Sequence, residues 1–369
     1  MAIKEAKKDK TSVTFKSRGR YSPIGLDIGS GAIKMIQLKL TSGRIAVNNA
    51  ALLKTPPQSV NNGAVTDPEL ISSLLAGLKK NDRWFGRKIN LSLNSPVFYL
   101  RRLKMPPMKR SEMKSAMRLA VEKYFPLPCE ELVFDYCIAE NNNYHNNTEC
   151  DYYLAAAPLD CAVSYTTAVE RAGFQAAALE IGPFSLLRFL NFNRPANMNP
   201  ADKNNLQLLA DIGAAGTSFL VTSEGSLHYY RYFKTGFKDF LHAAAEKAKT
   251  MGSRVENIFF SSASLAERGL LTPAEELAVQ IIQSFTYWSD QSDRFNFQDN
   301  ERPLLWLCGG GAVIPGISAY LRNMTALPTR ILDSFAGIPC RNGELSTRVK
   351  KRNCLFSTAL GLAFRGWLI

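Results

Sequence analysis

Several things are scarce in this 369-residue chain. Its seven cysteines (129, 137, 150, 161, 308, 340 and 354) include no Cys-x-x-Cys pair, and its histidines number three, at 145, 228 and 242. That supply argues against a zinc site, and the odd thiol count against a secreted disulfide framework. A reducing cytoplasm is the expected compartment. No stretch holds the ~18–20 uninterrupted apolar residues needed to span a bilayer. The longest apolar run, Leu304–Ile317, is short and carries three consecutive glycines. The basic N-terminus has no apolar segment behind it, so it is no signal peptide. Glycine (24) and proline (18) are not in excess, and 46% hydrophobic with 21% charged residues excludes disordered, collagen-like and coiled-coil chains. What remains is a soluble protein, with two or three domains at roughly 150 residues each and a large core.

The formal charge of +13 is concentrated. Residues 1–23 hold seven Lys/Arg against Glu5 and Asp9. Residues 101–118 hold seven against Glu112, and residues 341–352 hold five against Glu344. Patches of one sign on a near-neutral body suit an anionic neighbour, although solvated tails and helix faces give the same pattern. Basic residues do not interleave with aromatics as they do in nucleic-acid binders. A membrane surface, approached peripherally, is therefore the preferred neighbour and nucleic acid is not.

Hydrophobic periodicity lays out an α/β chain. Residues 1–22 read as a flexible leader. Strands are expected at Ile24–Ile28, Ile33–Leu40 and 44–54, and Asp67-Pro68 starts a helix with Leu70, Ile71, Leu74, Leu75 and Leu78 on one face. Strand Lys88–Leu93 follows. Next come strand Val97–Met105, helix Ser111–Tyr124, strand Leu132–Glu140, an Asn-rich tip at 141–149, strand Asp151–Ala157, helix Asp160–Ala172 and strand Phe174–Ile181. That βαββαβ order reads as a unit inserted before helix Pro183–Asn193. The second half repeats the opening: strands Leu206–Ile212, Thr217–Thr222 and Leu227–Phe233, then a helix over Gly236–Met251. Thr272-Pro273-Ala274-Glu275 reads as a capping box, Leu304–Leu307 as a buried strand, and Cys354–Trp367 as the last helix.

Three motifs carry chemistry. Leu26-Asp27-Ile28-Gly29-Ser30-Gly31 and Ala210-Asp211-Ile212-Gly213-Ala214-Ala215-Gly216 share one pattern of strand, Asp, tight turn of small residues, strand. Such turns expose backbone N–H groups and form concave anion sites. Asp27 and Asp211 are expected to orient the water shell of Mg²⁺. The amides around Gly29, Ser30, Gly31, Gly213, Ala214 and Gly216 would then grip a polyphosphate, and Lys34 would add a charge-assisted bond. A single Asp-x-Gly turn is ordinary structure; the matched pair is the signal. In the third motif, Leu305-Trp306-Leu307-Cys308 runs into Gly309, Gly310 and Gly311, and Gly316 precedes another helix. The glycines let a base and ribose approach closely, and the helix start faces the α-phosphate.

In this order and spacing the motifs resemble the actin-like ATPase superfamily, which implies a ribonuclease H-like, two-lobed α/β fold with ATP or ADP and Mg between the lobes. The inserted βαββαβ unit resembles that of FtsA and, more closely, of the PilM family of type IV pilus assembly. Arg102–Pro106, Ala120-Val121-Glu122-Lys123-Tyr124-Phe125-Pro126-Leu127-Pro128, Glu180-Ile181-Gly182-Pro183-Phe184, Tyr230-Arg231-Tyr232-Phe233 and Thr358-Ala359-Leu360-Gly361-Leu362-Ala363 carry that similarity. It implies a scaffold at the inner face of the cytoplasmic membrane, serving a pilus or related pseudopilus. The partner is the short N-terminal peptide of a PilN-like bitopic membrane protein, alongside other assembly-platform proteins. The peptide groove is expected between the first lobe and the insert, with Leu103, Met117 and Tyr124 as contacts; the same Met and aromatic stripe also reads as ordinary core.

The resemblance implies a first lobe over 23–96 and 183–204, an insert over 97–182, and a second lobe over 205–235 and 304–369 with a subdomain over 236–303. Gly182 stands where the family has a second acid, Phe237 where it has a second glycine, and Arg254–Ser261 lacks the adenosine-binding lysine, leaving Glu256. Phosphate binding is thus expected with slow hydrolysis at most. Glu180 is the one acidic residue proposed near the γ-phosphate, and it also reads as a plain charge at a strand end. An FtsA-like division protein would be expected to extend into a C-terminal amphipathic helix, whereas this chain stops at Phe364–Ile369. A small-molecule kinase of the superfamily would need a catalytic carboxylate in a substrate cleft.

Overall fold

The computed structural model describes residues 19–81, 83–94, 96–139, 149–193, 206–223, 225–292, 302–340 and 347–367. The chain opens with an antiparallel meander, β1 (Ile24–Ile28), β2 (Ala32–Thr41) and β3 (Arg44–Lys54). A small hairpin, β4 (Val60–Asn61) and β5 (Ala64–Val65), leads into α1 (Pro68–Asn81). Asp67 starts this helix by accepting the Leu70 amide at 2.9 Å, and Ile71 and Leu75 are fully buried on its inner face. β6 (Lys88–Leu93) then lies parallel to β1. Every residue of β1 is buried, as a central strand covered on both faces requires.

A three-stranded sheet follows, built from β7 (Tyr99–Met105), β8 (Leu132–Ile138) and β9 (Cys150–Pro158) in the order β7-β9-β8. α2 (Arg110–Tyr124) covers one face, where Met113, Met117, Ala120 and Val121 meet Tyr152, Leu154 and Ala156. α3 (Leu159–Arg171) and β10 (Gln175–Ile181) come next. The sequence placed both in the insert. Instead β10 pairs in parallel with β6, and Tyr165, Ala168 and Val169 of α3 join the first-lobe core. The separate sheet therefore spans Tyr99–Pro158 and not 97–182. A short apolar strand buries more by extending the five-stranded sheet, and α3 supplies the crossover a parallel neighbour needs. The Asn-rich tip lies outside the described residues except at Glu149.

α4 (Gly182–Phe192) leads into the second lobe. There β11 (Gln207–Ile212), β12 (Thr217–Ser223) and β13 (Ser226–Phe233) repeat the meander. α5 (Phe237–Met251), α6 (Val255–Phe259) and α7 (Leu271–Asp290) follow. α7 begins at Leu271 behind the fully buried Leu270, with no side-chain cap, so the expected box at Thr272 is not its start. β14 (Leu304–Cys308), α8 (Ile317–Thr325), β15 (Thr329–Ile331), α9 (Thr347–Lys350) and α10 (Ser357–Phe364) complete the chain. The two large sheets have the same order, β3-β2-β1-β6-β10 and β13-β12-β11-β14-β15, with matching strand directions.

Between the sheets run α4 and α10, each crossing from one lobe to the other. α10 follows the second-lobe strands yet packs on β1, β2 and β6, while α4 leaves the first lobe and packs on β12 and β13. The approach is close: a Cβ on Gly25 would collide with the backbone of Ala359 and Ala363, and one on Gly361 with Ser185. Of the expected leader, residues 1–18 lie outside the described residues. Tyr21 bridges Lys39 and stacks on Phe85 at 4.1 Å, so the end of that segment packs on the first lobe.

Candidate functional site

In the β1–β2 hairpin, register places Lys34 opposite Asp27. The lysine donates to Asp27 Oδ2 at 2.6 Å, and Asn94 Nδ2 donates to Oδ1 at 2.9 Å and to the Ile28 carbonyl at 3.2 Å. Asp27 is thus a buried carboxylate fixed by a cation and an amide. The Gly29 amide closes the turn onto Ala32 O at 3.0 Å, leaving Ser30 and Gly31 at the tip.

The β11–β12 hairpin is built alike. Gly213 N donates to Gly216 O at 2.9 Å, and the start of α5 docks on the turn through Phe237 N to Gly213 O (2.8 Å) and Lys238 N to Ala214 O (3.0 Å). Gly216 has no room for a side chain, because a Cβ there would sit 2.3 Å from both Phe233 O and the Tyr232 hydroxyl. That hydroxyl donates to Ala215 O at 3.1 Å. Cys308, the parallel neighbour of Asp211 on β14, gives its carboxylate a thiol hydrogen bond.

The two hairpins face each other. Burial, and then the negative charge of Asp27, push the Asp211 carboxyl up to about 6; Lys34 and the Cys308 thiol hold it down. A Cβ on Gly31 would lie 2.7 Å from the Cβ of Ala214, so the turn tips are in contact. The Lys34 ammonium that binds Asp27 thus also acts on Asp211 where the two lobes meet. That surplus of negative charge beside glycine-lined turns is chemistry that suits a hydrated divalent cation.

The third motif joins the same place. Gly309, at φ 80°, lies so close that a Cβ would be 2.3 Å from Asp211 Oδ1, and Gly311 packs against Ile212. Gly310 faces open space. Gly316, at φ 84°, precedes α8. Beside it the buried Arg268 guanidinium donates to the carbonyls of Phe259, Ser264 and Pro315. Glu256 is exposed on α6.

Glu180 sits level with Asp27, both being partnered by Ser92 of β6. Its buried carboxylate is held by Arg188, at 2.6 and 2.9 Å, and by Arg365. Arg188 also bonds the Gly361 carbonyl of α10 at 2.9 Å. Glu180 therefore ties β10 to the two crossing helices.

The three expected peptide contacts separate. Met117 is fully buried in the core under α2, and Leu103 is half-buried against that core. Tyr124, 41% exposed, lines a groove of about 660 Å³. Phe98–Arg101, Lys123–Pro126 and Tyr230–Tyr232 form its walls. Phe98 packs on Tyr230 at 5.6 Å and Tyr99 on Phe125 at 5.4 Å. Arg101, Lys123 and Arg231 are exposed around it, with no carboxylate partner among the described residues. The sequence reading missed Asn94, the Cys308 thiol and the dual place of Tyr232. Asn94 stands in the sequence only as the residue after strand Lys88–Leu93.

Twin sheets of this order, with two acidic hairpins meeting between them, define an actin-like, two-lobed protein. The sequence model of the type IV pilus assembly protein PilM family matches residues 25–367, and the chain belongs to that family. In three dimensions the chain is similar to a PilM–PilN type IV pilus biogenesis complex, with TM-score 0.80 and 22% identity over 94% of this chain and 99% of that one. It is also similar to the ethanolamine utilization protein EutJ from Carboxydothermus hydrogenoformans, with TM-score 0.51 and 14% identity over 94% and 89% of the two chains. Among the described residues no helix is long and apolar enough to cross a membrane.

Proposed function

We propose that this type IV pilus assembly protein is a nucleotide-binding scaffold at the inner face of the cytoplasmic membrane. It holds the N-terminal cytoplasmic peptide of a PilN-like membrane protein within the assembly platform. The observation that carries the reading is the facing pair Asp27 and Asp211 in a PilM-family chain. Asp27 and Asp211 would orient the water shell of Mg²⁺; Lys34 and the amides around Gly29, Ser30, Gly31, Gly213, Ala214 and Gly216 would receive phosphate oxygens. Gly309, Gly310 and Gly311 would border the ribose and base, with Gly316 at the helix start beyond. When bound, ATP would supply phosphate oxygens that residues of both hairpins could hold. Glu180 is committed to Arg188 and Arg365, and residue 182 is glycine, so hydrolysis is slow at most.

The peptide, expected between the first lobe and the insert, is assigned instead to the groove between β7, the end of α2 and β13 of the second lobe. Its walls are aromatic, its rim carries Arg101, Lys123 and Arg231, and among the described residues β7 and β13 each pair with a strand on one side only. Those features suit an extended apolar segment bearing an acidic group. Tyr124 is placed as a direct contact, Leu103 as backing for the wall, and Met117 as support beneath it. The first lobe is taken as 23–98 and 159–204, the inserted subdomain as Tyr99–Pro158, and the second lobe as 205–235 and 304–369 with its subdomain over 236–303. Calorimetric titration with Mg·ATP, and separately with a synthetic peptide of the PilN-like N-terminus, tests the proposal. Micromolar binding of both supports it, and binding of neither removes it.

A further inference from the structure

Away from the cleft and the groove, the loop from α1 to β6 carries a basic surface with an outward aromatic ring. Residues 79–88 read Lys-Lys-Asn-Asp-Arg-Trp-Phe-Gly-Arg-Lys, five cations against the single acid Asp82. Lys80, Arg83, Arg87 and Lys88 are exposed. Two more exposed cations come from other stretches of chain. Arg20 precedes Tyr21, which stacks on Phe85 of the loop, and Arg44 opens β3, whose Asn48 donates to the Arg83 carbonyl at 3.3 Å. None of the six has a carboxylate partner among the described residues.

The loop is clamped from beneath. The Phe85 amide donates to Gln37 Oε1 at 2.9 Å, Gln37 Nε2 donates to the Phe85 carbonyl at 2.7 Å, and Trp84 packs against the first-lobe core. The Phe85 ring nevertheless stays 46% exposed. Tyr21 backs it at 4.1 Å, and the Arg20 guanidinium lies 5.7 Å from the centre of the Tyr21 ring. Upstream, residues 1–18 add six Lys/Arg against Glu5 and Asp9 in the sequence. They lead into Gly19, whose carbonyl accepts the Trp367 indole N–H at 2.8 Å. The whole surface lies at the start of β1 and β6, whereas Asp27 and Asn94 lie at their other ends, so a partner here leaves the hairpins uncovered.

We propose that this surface docks on an anionic lipid bilayer. The six cations face lipid phosphates, and Phe85 enters the headgroup layer, where an aromatic ring flanked by Lys and Arg is at home. Neither nucleotide nor peptide is needed for the contact. A bilayer suits the geometry better than nucleic acid, because Phe85 is a lone apolar tip with one face taken by Tyr21, not a row of platforms for successive bases.

The test is flotation of the full chain with vesicles of phosphatidylcholine alone and of phosphatidylcholine mixed equally with phosphatidylglycerol, without other ligands. Binding is expected to the mixed vesicles only, and to fall as salt rises. R83E/R87E should weaken it at least about tenfold, and Phe85→Ser should weaken it several-fold. K104E/K114E makes the same change of charge on exposed residues of the inserted subdomain and should cost less than about twofold, since those cations stand off this surface. Equal partition onto the two kinds of vesicle overturns the proposal. Equal losses in the two double variants also overturn it, because the net charge of +13 would then be the cause. Binding of a mixed-sequence DNA duplex that R83E/R87E abolishes, with vesicles left unbound, overturns it in favour of nucleic acid. Full binding by Phe85→Ser removes the ring from the contact. Should R83E/R87E not fold, Arg83→Gln with Arg87→Gln is read in its place, with a loss of about fivefold or more expected.

Discussion

Gly31 and Ala214 meet across the interlobe cleft: a Cβ on the glycine would lie 2.7 Å from the alanine Cβ, inside the distance real carbons keep. The two residues sit on different lobes, so bulk at position 31 is relieved by moving the lobes apart. Gly31→Val is expected to weaken Mg·ATP binding at least about tenfold, roughly 1.4 kcal/mol. Gly31 is an exposed turn residue, so the melting temperature should hardly move. Calorimetry beside a thermal melt checks both halves, and unchanged affinity would mean that tip contact does not govern the cleft.

Asp27→Ala and Asp211→Ala are each expected to abolish Mg·ATP binding. The first also strands the Lys34 ammonium and the Asn94 amide, which donate to Asp27 at 2.6 and 2.9 Å. Unchanged affinity in both variants would refute the roles assigned to the hairpins.

The Asp211 carboxyl gives the fold an unusual pH dependence. Burial and the nearby Asp27 charge raise it from 3.8 to about 6 in the folded protein. Above that value both folded and unfolded chains carry the charge, and the folded one bears its penalty. Between about 6 and 4 the folded chain takes up a proton that the unfolded chain does not. Stability from this group therefore rises as pH falls through that window, by roughly 3 kcal/mol. Asp211→Asn is expected to melt higher than the wild type at pH 8, with the gap closing by pH 5. A gap that stays constant across that range would show that Asp211 does not titrate there.

The hairpins were legible because their chemistry is local: an Asp at a strand end, small residues, and a returning strand. The placement of β10 was not, since a short apolar strand after a helix fits either sheet. Its parallel pairing with β6 is a long-range choice. Glu180 shows the same limit, because its partner Arg365 lies 185 residues away. Tyr232 was quoted as part of a family motif, but nothing in the sequence says that its hydroxyl reaches Ala215.

Glu180→Gln is expected to lower stability by about 2–4 kcal/mol, since two arginines lose a buried charged acceptor. Arg188 and Arg365 are 30% and 39% exposed, so solvent softens the loss. Affinity for Mg·ATP should stay within about twofold, a small change on the scale where 1.4 kcal/mol is tenfold. Loss of nucleotide binding at an unchanged melting temperature would instead return Glu180 to the cleft.

Met117 and Tyr124 lie seven residues apart on one stripe of α2, and the structure gives them opposite work. Met117 is fully buried beneath the inserted sheet, whereas Tyr124 ends the helix at the groove. Met117→Ala should destabilise the protein by about 2–5 kcal/mol, the usual range for emptying a core methionine site. Tyr124→Ala should cost little stability and weaken the PilN-like peptide about tenfold, as loss of an aromatic contact in a groove does. Arg101→Glu tests the charge at the same rim and should weaken a peptide bearing an acidic residue more than one in which that residue is replaced by its amide. Equal losses for the two peptides would show that the rim cations do not read the partner's charge, and an unaffected Tyr124→Ala would move the peptide off this groove.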